Sequence, residues 1–228
     1  MLKKQLQQIL VASKKQGWVM EPEAKRLLSR AGMNVPRFQW TTRVEEALRF
    51  SAETGYPVVA KIVSSEIVHK SDVGGVVSGI KDDEGLKSAF SRLSRLPGFS
   101  GVLVEEMLEG VELILGGKMD HQFGPVILLG IGGTGVEIYK DTALRMAPLQ
   151  ESDVASMVGS LKAHRLLEGY RGSKPVDLED LTRMMLAFSD LMMGLEGLVE
   201  SIDLNPVLCS PERCVVADAR IMLWQEEG

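Results

Sequence analysis

The sequence predicts an α+β protein of two lobes, and three observations carry that expectation. Helix-spaced and strand-like segments do not alternate in the strict βαβ order of a doubly wound sheet. Three strand-like runs, GVLVEEML, VELILGGKMD and PVILLGIGG, follow one another with only turns between them, as in a meander. Pro97 and Gly98 break the chain ahead of those runs and set the expected lobes at residues 1–99 and 100–228.

Glu21 to Ala31 reads as a helix, with Pro22 in its first turn, Ala24, Leu27, Leu28 and Ala31 on one face, and Gly32 at its end. A short strand near Val35 to Thr41 follows, then a helix from Val44 to Glu53 that stops at Gly55. Val58, Val59, Ala60, Ile62 and Val63 form the apolar run of a buried strand, and Pro57 stands at its start, where a missing N–H costs least. Gly75 to Ile80 reads as the antiparallel neighbour of that strand, and Asp82 opens a helix that runs to Leu96. After the three consecutive strands comes a largely helical stretch from Glu151 to Leu195, closed by two strands, LVESIDLNPVLC and CVVADARIML.

At 228 residues and 45% hydrophobic content the chain can bury a sizeable core. Its net charge of −5 offers no broad basic surface, so nucleic acid is not an expected partner. No run approaches the roughly 18 apolar residues of a membrane span, and MLKKQLQQILVASKKQ is amphipathic without a signal-peptide core. A cytoplasmic protein with no membrane partner is expected. Cys209 and Cys214 flank a turn with no metal-ligand spacing and read as structural thiols. His121 and His164 read as structural too.

Lys61 lies inside the apolar strand. An ammonium buried there needs a carboxylate of the core or the anion of a ligand, because leaving it without a counter-charge costs several kcal/mol. Downstream, His69 stands in the polar loop HKSDVGG, which is rich in hydrogen-bond donors and backbone freedom. Neutral imidazole is a competent phosphate acceptor near pH 7. Glu105 and Glu106 end the strand of VEEML. They read either as solvated edge charges or, with Met107, Leu108 and Glu112, as contacts to a nucleotide base or ribose.

GIGGTG, Gly130 to Gly135, matches G-x-G-x-x-G in form. That fingerprint needs a helix to open at its third glycine, whereas VEIYKD reads as a strand, so the better reading is a glycine turn that lets backbone approach a phosphate. Asp203 and Asn205 leave one face of a strand, and Asp218 lies on the strand expected beside it. Three oxygen donors would then converge on Mg²⁺, which takes one or two protein oxygens and fills its shell with phosphate and water. The plainer reading is that Asp203 and Asn205 start a turn at Pro206.

Together these segments resemble the ATP-grasp subunit of the ADP-forming acyl-CoA synthetases, the beta subunit of ADP-forming acetyl-CoA synthetase. EPEAKRLLSRAGMNVP, GYPVVAKIVSSEIVHKSDVGGV, VLVEEMLEGVELILGGKMDHQFGPVILLGIGGTGVEIYKD, LLEGYRG and DLNPVL with ADARI stand in the family's order over nearly the whole chain. The resemblance implies an ATP-grasp fold, two α+β lobes enclosing a nucleotide cleft. Carried over by motif, Lys61 would hold the α/β-phosphates, Glu105, Glu106, Met107 and Leu108 the adenine, and Glu112 a further nucleotide contact. Asn205 and Asp218 would hold Mg²⁺, Asp203 is the acidic position ahead of them, and His69 stands where the family's loop histidine carries phosphate.

The implied reaction is acyl-CoA + ADP + phosphate ⇌ acid + ATP + CoA. It implies a CoA-binding alpha subunit with the principal phosphohistidine, an α2β2 assembly, and acid and CoA reached through that partner. Met119 and Thr134–Gly135 depart from the residue types expected in the family. The competing functions are a regulatory ATP-grasp-like module without turnover and the beta-type subunit of another CoA ligase, such as one for succinate.

Overall fold

The computed structural model of the chain describes residues 2–133, 141–170, 172 and 174–224. In chain order its elements begin with helix α1 (Leu2–Ser13), strand β1 (Trp18–Val19), helix α2 (Glu21–Arg30), strand β2 (Phe38–Thr41), helix α3 (Val44–Thr54) and strand β3 (Val58–Ser64). A 3-10 turn (Ser71–Val73), strand β4 (Val76–Ile80), helix α4 (Asp83–Leu93) and strands β5 (Phe99–Glu106), β6 (Val111–Asp120), β7 (Gly124–Ile131) and β8 (Thr142–Met146) follow. Helix α5 (Glu151–Ser160), a 3-10 turn (His164–Leu166), helix α6 (Leu178–Gly194) and strands β9 (Val199–Cys209), β10 (Cys214–Val216) and β11 (Ala219–Leu223) complete them. The chain forms two compact units, residues 36–108 and residues 1–35 together with 109–228.

The smaller unit is a four-stranded antiparallel sheet in the order β2-β5-β3-β4, with α3 and α4 packed on it. Strand alternation sends Val58, Ala60 and Ile62 of β3 and Val102 and Val104 of β5 into one core with Ala47, Leu86, Phe90 and Leu93 of the helices. Asp82 caps α4 by accepting the Gly85 N–H at 2.8 Å.

In the larger unit the path β1-β11-β9-β6-β7-β8 is antiparallel throughout, with β10 paired to β9. Its core gathers Leu27 and Leu28 of α2, Val154 and Met157 of α5 and Met185, Phe188 and Met192 of α6 against Leu113, Leu115, Ile127, Ile202 and Leu204. α6 lies close on β6 because Gly117 has no side chain: a Cβ there would stand 2.6 Å from the Met192 sulfur. Asp180, in the first turn of α6, is buried. It accepts from Asn34 Nδ2 at 3.1 Å and from the Cys214 N–H at 2.7 Å, and Arg183 pairs with it.

Several expectations change. The boundary between units lies at 108/109 and again at 35/36, not between 99 and 100. The reason is that β5 pairs with β2 and β3, so GVLVEEML belongs to the smaller sheet and is not the first strand of a meander. The meander of the larger unit is β6-β7-β8, and β8 has no counterpart in the sequence reading. The strand expected over VEIYKD lies, except for Asp141, outside the described residues. Cys209 and Cys214 stand opposite each other on β9 and β10 as a disulfide, where the sequence pointed to thiols. His121 is an exposed turn residue.

Candidate nucleotide and metal site

In the smaller unit, β3 carries Lys61 on the face away from the helices, because its neighbours Ala60 and Ile62 occupy the core face. Lys61 stands opposite Leu103, and Val59 opposite Glu105, which makes Lys61 and Glu105 diagonal neighbours on one sheet face. The Lys61 Nζ is 2.9 Å from Glu105 Oε2, and both residues are buried, at 6% and 2% exposure. Glu105 is not a solvated edge charge, since β5 is an inner strand of its sheet. Glu106 faces the other way. Its carboxylate accepts the Arg37 N–H at 2.9 Å and lies 3.8 Å from Arg37 Nε. Met107 and Leu108 follow directly, Met107 exposed at 37%.

The loop from Ser64 to Gly75 is tied at both ends. Ser64 Oγ accepts from the Glu66 and Ile67 N–H groups and donates to the Pro97 carbonyl at 2.7 Å. The Gly75 N–H donates to the Lys70 carbonyl at 2.6 Å, and the Ile62 N–H to the Gly75 carbonyl at 2.8 Å. A Cβ on Gly75 would lie 2.8 Å from that Lys70 oxygen, so the loop can close so tightly only on glycine. His69 sits exposed on this anchored loop.

In the larger unit the glycine turn after β7 lies against Glu112. The Gly132 N–H donates to the Glu112 carbonyl at 2.6 Å, and a Cβ on Gly132 would meet the Glu112 carbonyl carbon at 2.8 Å. Glu112 itself is exposed. Thr134 and Gly135 lie outside the described residues. Met119 is 7% exposed in the core, so its departure from the family's residue type does not alter the exposed face of β6.

Strand β9 continues through Pro206, its register against β6 shifting there, so Asp203 and Asn205 do not start a turn. Ile202 and Leu204 point into the core while Asp203 and Asn205 take the other face. Asp218 lies in the link between β10 and β11, and the Asn205 N–H donates to its carbonyl at 3.2 Å. Asp203 turns to β11, where Arg220 Nη2 donates to its Oδ2 at 3.0 Å across directly opposed residues. It also lines a cavity of about 410 Å³ with Gly116, Lys118, Leu128, Leu144 and Ser201.

The three expected oxygen donors therefore divide. Asn205 and Asp218 share a backbone frame, and Asp203 is engaged by Arg220. Among the described residues no group of three or more His, Cys, Asp or Glu is placed to hold a metal. An amide oxygen and a carboxylate on adjoining backbone still fit Mg²⁺, whose remaining positions go to water and phosphate. Arg220 was not foreseen; its only sequence signal is its place two residues after Asp218.

The sequence pattern of the ATP-grasp domain family matches residues 10–223. The chain is also 41% identical over 213 residues to the beta subunit of a Pyrococcus furiosus ADP-forming acetate–CoA ligase, covering 90% of this chain and 91% of that one. The chain belongs to the ATP-grasp family. Within it, a longer ADP-forming acetate–CoA ligase of Archaeoglobus fulgidus is 38% identical, and the chain spans 31% of its length. Among solved structures, an acetyl-coenzyme A synthetase of Candidatus Korarchaeum cryptofilum superposes with a TM-score of 0.85 at 38% identity, over 96% of this chain and all of that one. That structure was solved with coenzyme A and Mg-AMPPCP, its phosphohistidine segment pointing towards the nucleotide-binding site.

Proposed function

We propose that this chain is the nucleotide-binding beta subunit of an ADP-forming acyl-CoA synthetase, an acid-thiol ligase catalysing acyl-CoA + ADP + phosphate ⇌ acid + ATP + CoA. The observation that carries the reading is its match to a whole beta subunit over 91% of that subunit's length, with Lys61, His69, Asn205 and Asp218 at their motif positions. A regulatory module would have no need of the loop histidine.

In the synthetic direction a phosphohistidine gives its phosphoryl group to ADP: the N–P bond breaks, a bond forms from phosphorus to a terminal β-phosphate oxygen, and the imidazole recovers a proton. Lys61, pre-aimed by Glu105, neutralises the phosphate oxygens. Glu106, Met107, Leu108 and Glu112 serve the base and ribose. The Glu105 carboxylate is engaged by Lys61 and its backbone is paired between β2 and β3, so its part is to aim Lys61 and the adenine contact falls to the residues after it. Asn205 and Asp218 would hold Mg²⁺, which when bound neutralises charge on the transferring phosphate. Asp203, oriented by Arg220, is the acidic group ahead of the metal ligands. His69 accepts or delivers the phosphoryl group on its loop.

ATP or ADP and Mg²⁺ are then the cofactors. The partner is a CoA-binding alpha subunit carrying the principal phosphohistidine, in an α2β2 assembly working in the cytoplasm. Among the described residues no helix is long and apolar enough to cross a membrane.

The test is to incubate the chain with Mg²⁺ and γ-labelled ATP, with and without a candidate alpha subunit, and to map acid-labile label by mass spectrometry. Label on His69 is expected, together with loss of turnover in His69→Ala. Normal turnover of His69→Ala would reduce His69 to a loop residue. Bound nucleotide with no label in either condition would move the chain to a regulatory role.

A further inference from the structure

Lys25, on α2, is fully buried, and the reaction proposed above gives it no part. Its Nζ donates to the Ala217 carbonyl at 2.8 Å and lies 3.0 Å from Glu21 Oε1, one helical turn earlier. The Glu21 side chain is itself only 4% exposed. Taking an ammonium and a carboxylate out of water costs several kcal/mol per ion, and an apolar pair of similar volume is often as stable or more so. Stability alone does not account for such a pair, but its neighbour does.

Ala217 immediately precedes Asp218. The Ala217 N–H donates to the Pro206 carbonyl at 3.0 Å, and the Asn205 N–H donates to the Asp218 carbonyl at 3.2 Å. The two residues assigned to the cation thus sit on a closed backbone frame, 205–206 against 217–218. Lys25 clamps the outer carbonyl of that frame from α2, an element some 190 residues away in sequence, the separation being 192.

We propose that Lys25, paired with Glu21, is a positioning residue for the divalent cation. It fixes the 217–218 link so that the Asp218 carboxylate and the Asn205 amide oxygen keep the separation at which one cation reaches both. The proposal rests on the metal-site reading above, and it adds to that reading a residue on helix α2.

The test is a titration of the full chain with Mn²⁺ at saturating ADP, free ion being read by electron paramagnetic resonance. Lys25→Met keeps the length of the side chain, and Glu21→Gln/Lys25→Met also removes the buried carboxylate. Both are expected to raise the Mn²⁺ dissociation constant by about 10- to 100-fold, the usual effect of removing a group that orients a metal ligand. ADP affinity in EDTA should stay at the wild-type value, and so should the unfolding midpoint of the double variant. Asp218→Asn is the reference. If it weakens Mn²⁺ while both Lys25 variants bind as wild type, the positioning role falls alone. If it leaves Mn²⁺ binding unchanged, the cation lies elsewhere and the proposal falls with the site reading. A double variant that does not fold assigns the pair to stability and overturns the proposal as well.

Discussion

Lys61 and Glu105 constrain each other before any nucleotide arrives. Removing only the lysine leaves a carboxylate at 2% exposure without its counter-charge. Lys61→Ala is therefore expected to lower stability by about 3–5 kcal/mol and to weaken Mg-ATP by about 10- to 100-fold, the worth of a charge-assisted phosphate contact. Lys61→Met/Glu105→Gln should regain the stability and not the binding. Urea unfolding and titration calorimetry separate the two effects, and Mg-ATP affinity at the wild-type level in both variants would refute the phosphate role. Sequence alone placed Lys61 in a buried strand and required an anion for it. Which anion followed only from the register, because nothing local to VVAKIVS names a diagonal neighbour more than forty residues on. Arg220 and Lys25 escaped for the same reason: each acts on a segment distant in the chain, and on sequence each is one more cation beside a strand or on a helix.

Among the elements, β3, β4, the early helices and β9 were legible because period and turn residues agree there, whereas the one strand expected over CVVADARIML is two, β10 and β11, parted at Ala217 and Asp218. β5 was misallocated because strand periodicity gives a strand's existence and not its sheet. β8 was missed because its exposed face carries the apolar residues, Leu144 at 55% and Met146 at 58% exposure, so the pattern reads against the usual inward rule. Tyr56 joins the turn before β3 to α4: its hydroxyl donates to Asp83 Oδ1 at 2.8 Å. Burial first, and then that hydrogen bond and the charge of Asp83, push its pKa up to about 12. A raised folded-state value means that the stabilisation is fully present below pH of about 10, where the unfolded phenol titrates, and is lost as pH rises through about 12. The stability gap between wild type and Tyr56→Phe should shrink over that window in urea titrations; a gap independent of pH would show that the contact contributes nothing through its proton.

At the scale of the whole molecule the α+β class and the division into two units could be anticipated, since long alternating segments and breaker residues report on both. The boundaries could not, because residues 1–35 return to the larger unit through β1 and β11, a pairing between Trp18–Val19 and Met222–Ile221 that no local signal marks. The smaller unit has its own core, so calorimetric unfolding is expected to show an enthalpy above the van't Hoff value, as two cooperative blocks would. Equality of the two enthalpies would mean that the blocks melt as one. The same β1–β11 pairing sets an order of events at the ribosome. The segment from 36 to 108 contains all of its own sheet and can close once it has emerged, but strand β1 and helix α2, made before it, wait for β11, the partner strand of β1, to leave the tunnel. Leu27 and Leu28 thus stay uncovered while the intervening strands and helices are made, and it is there that a nascent chain of this protein would need a chaperone.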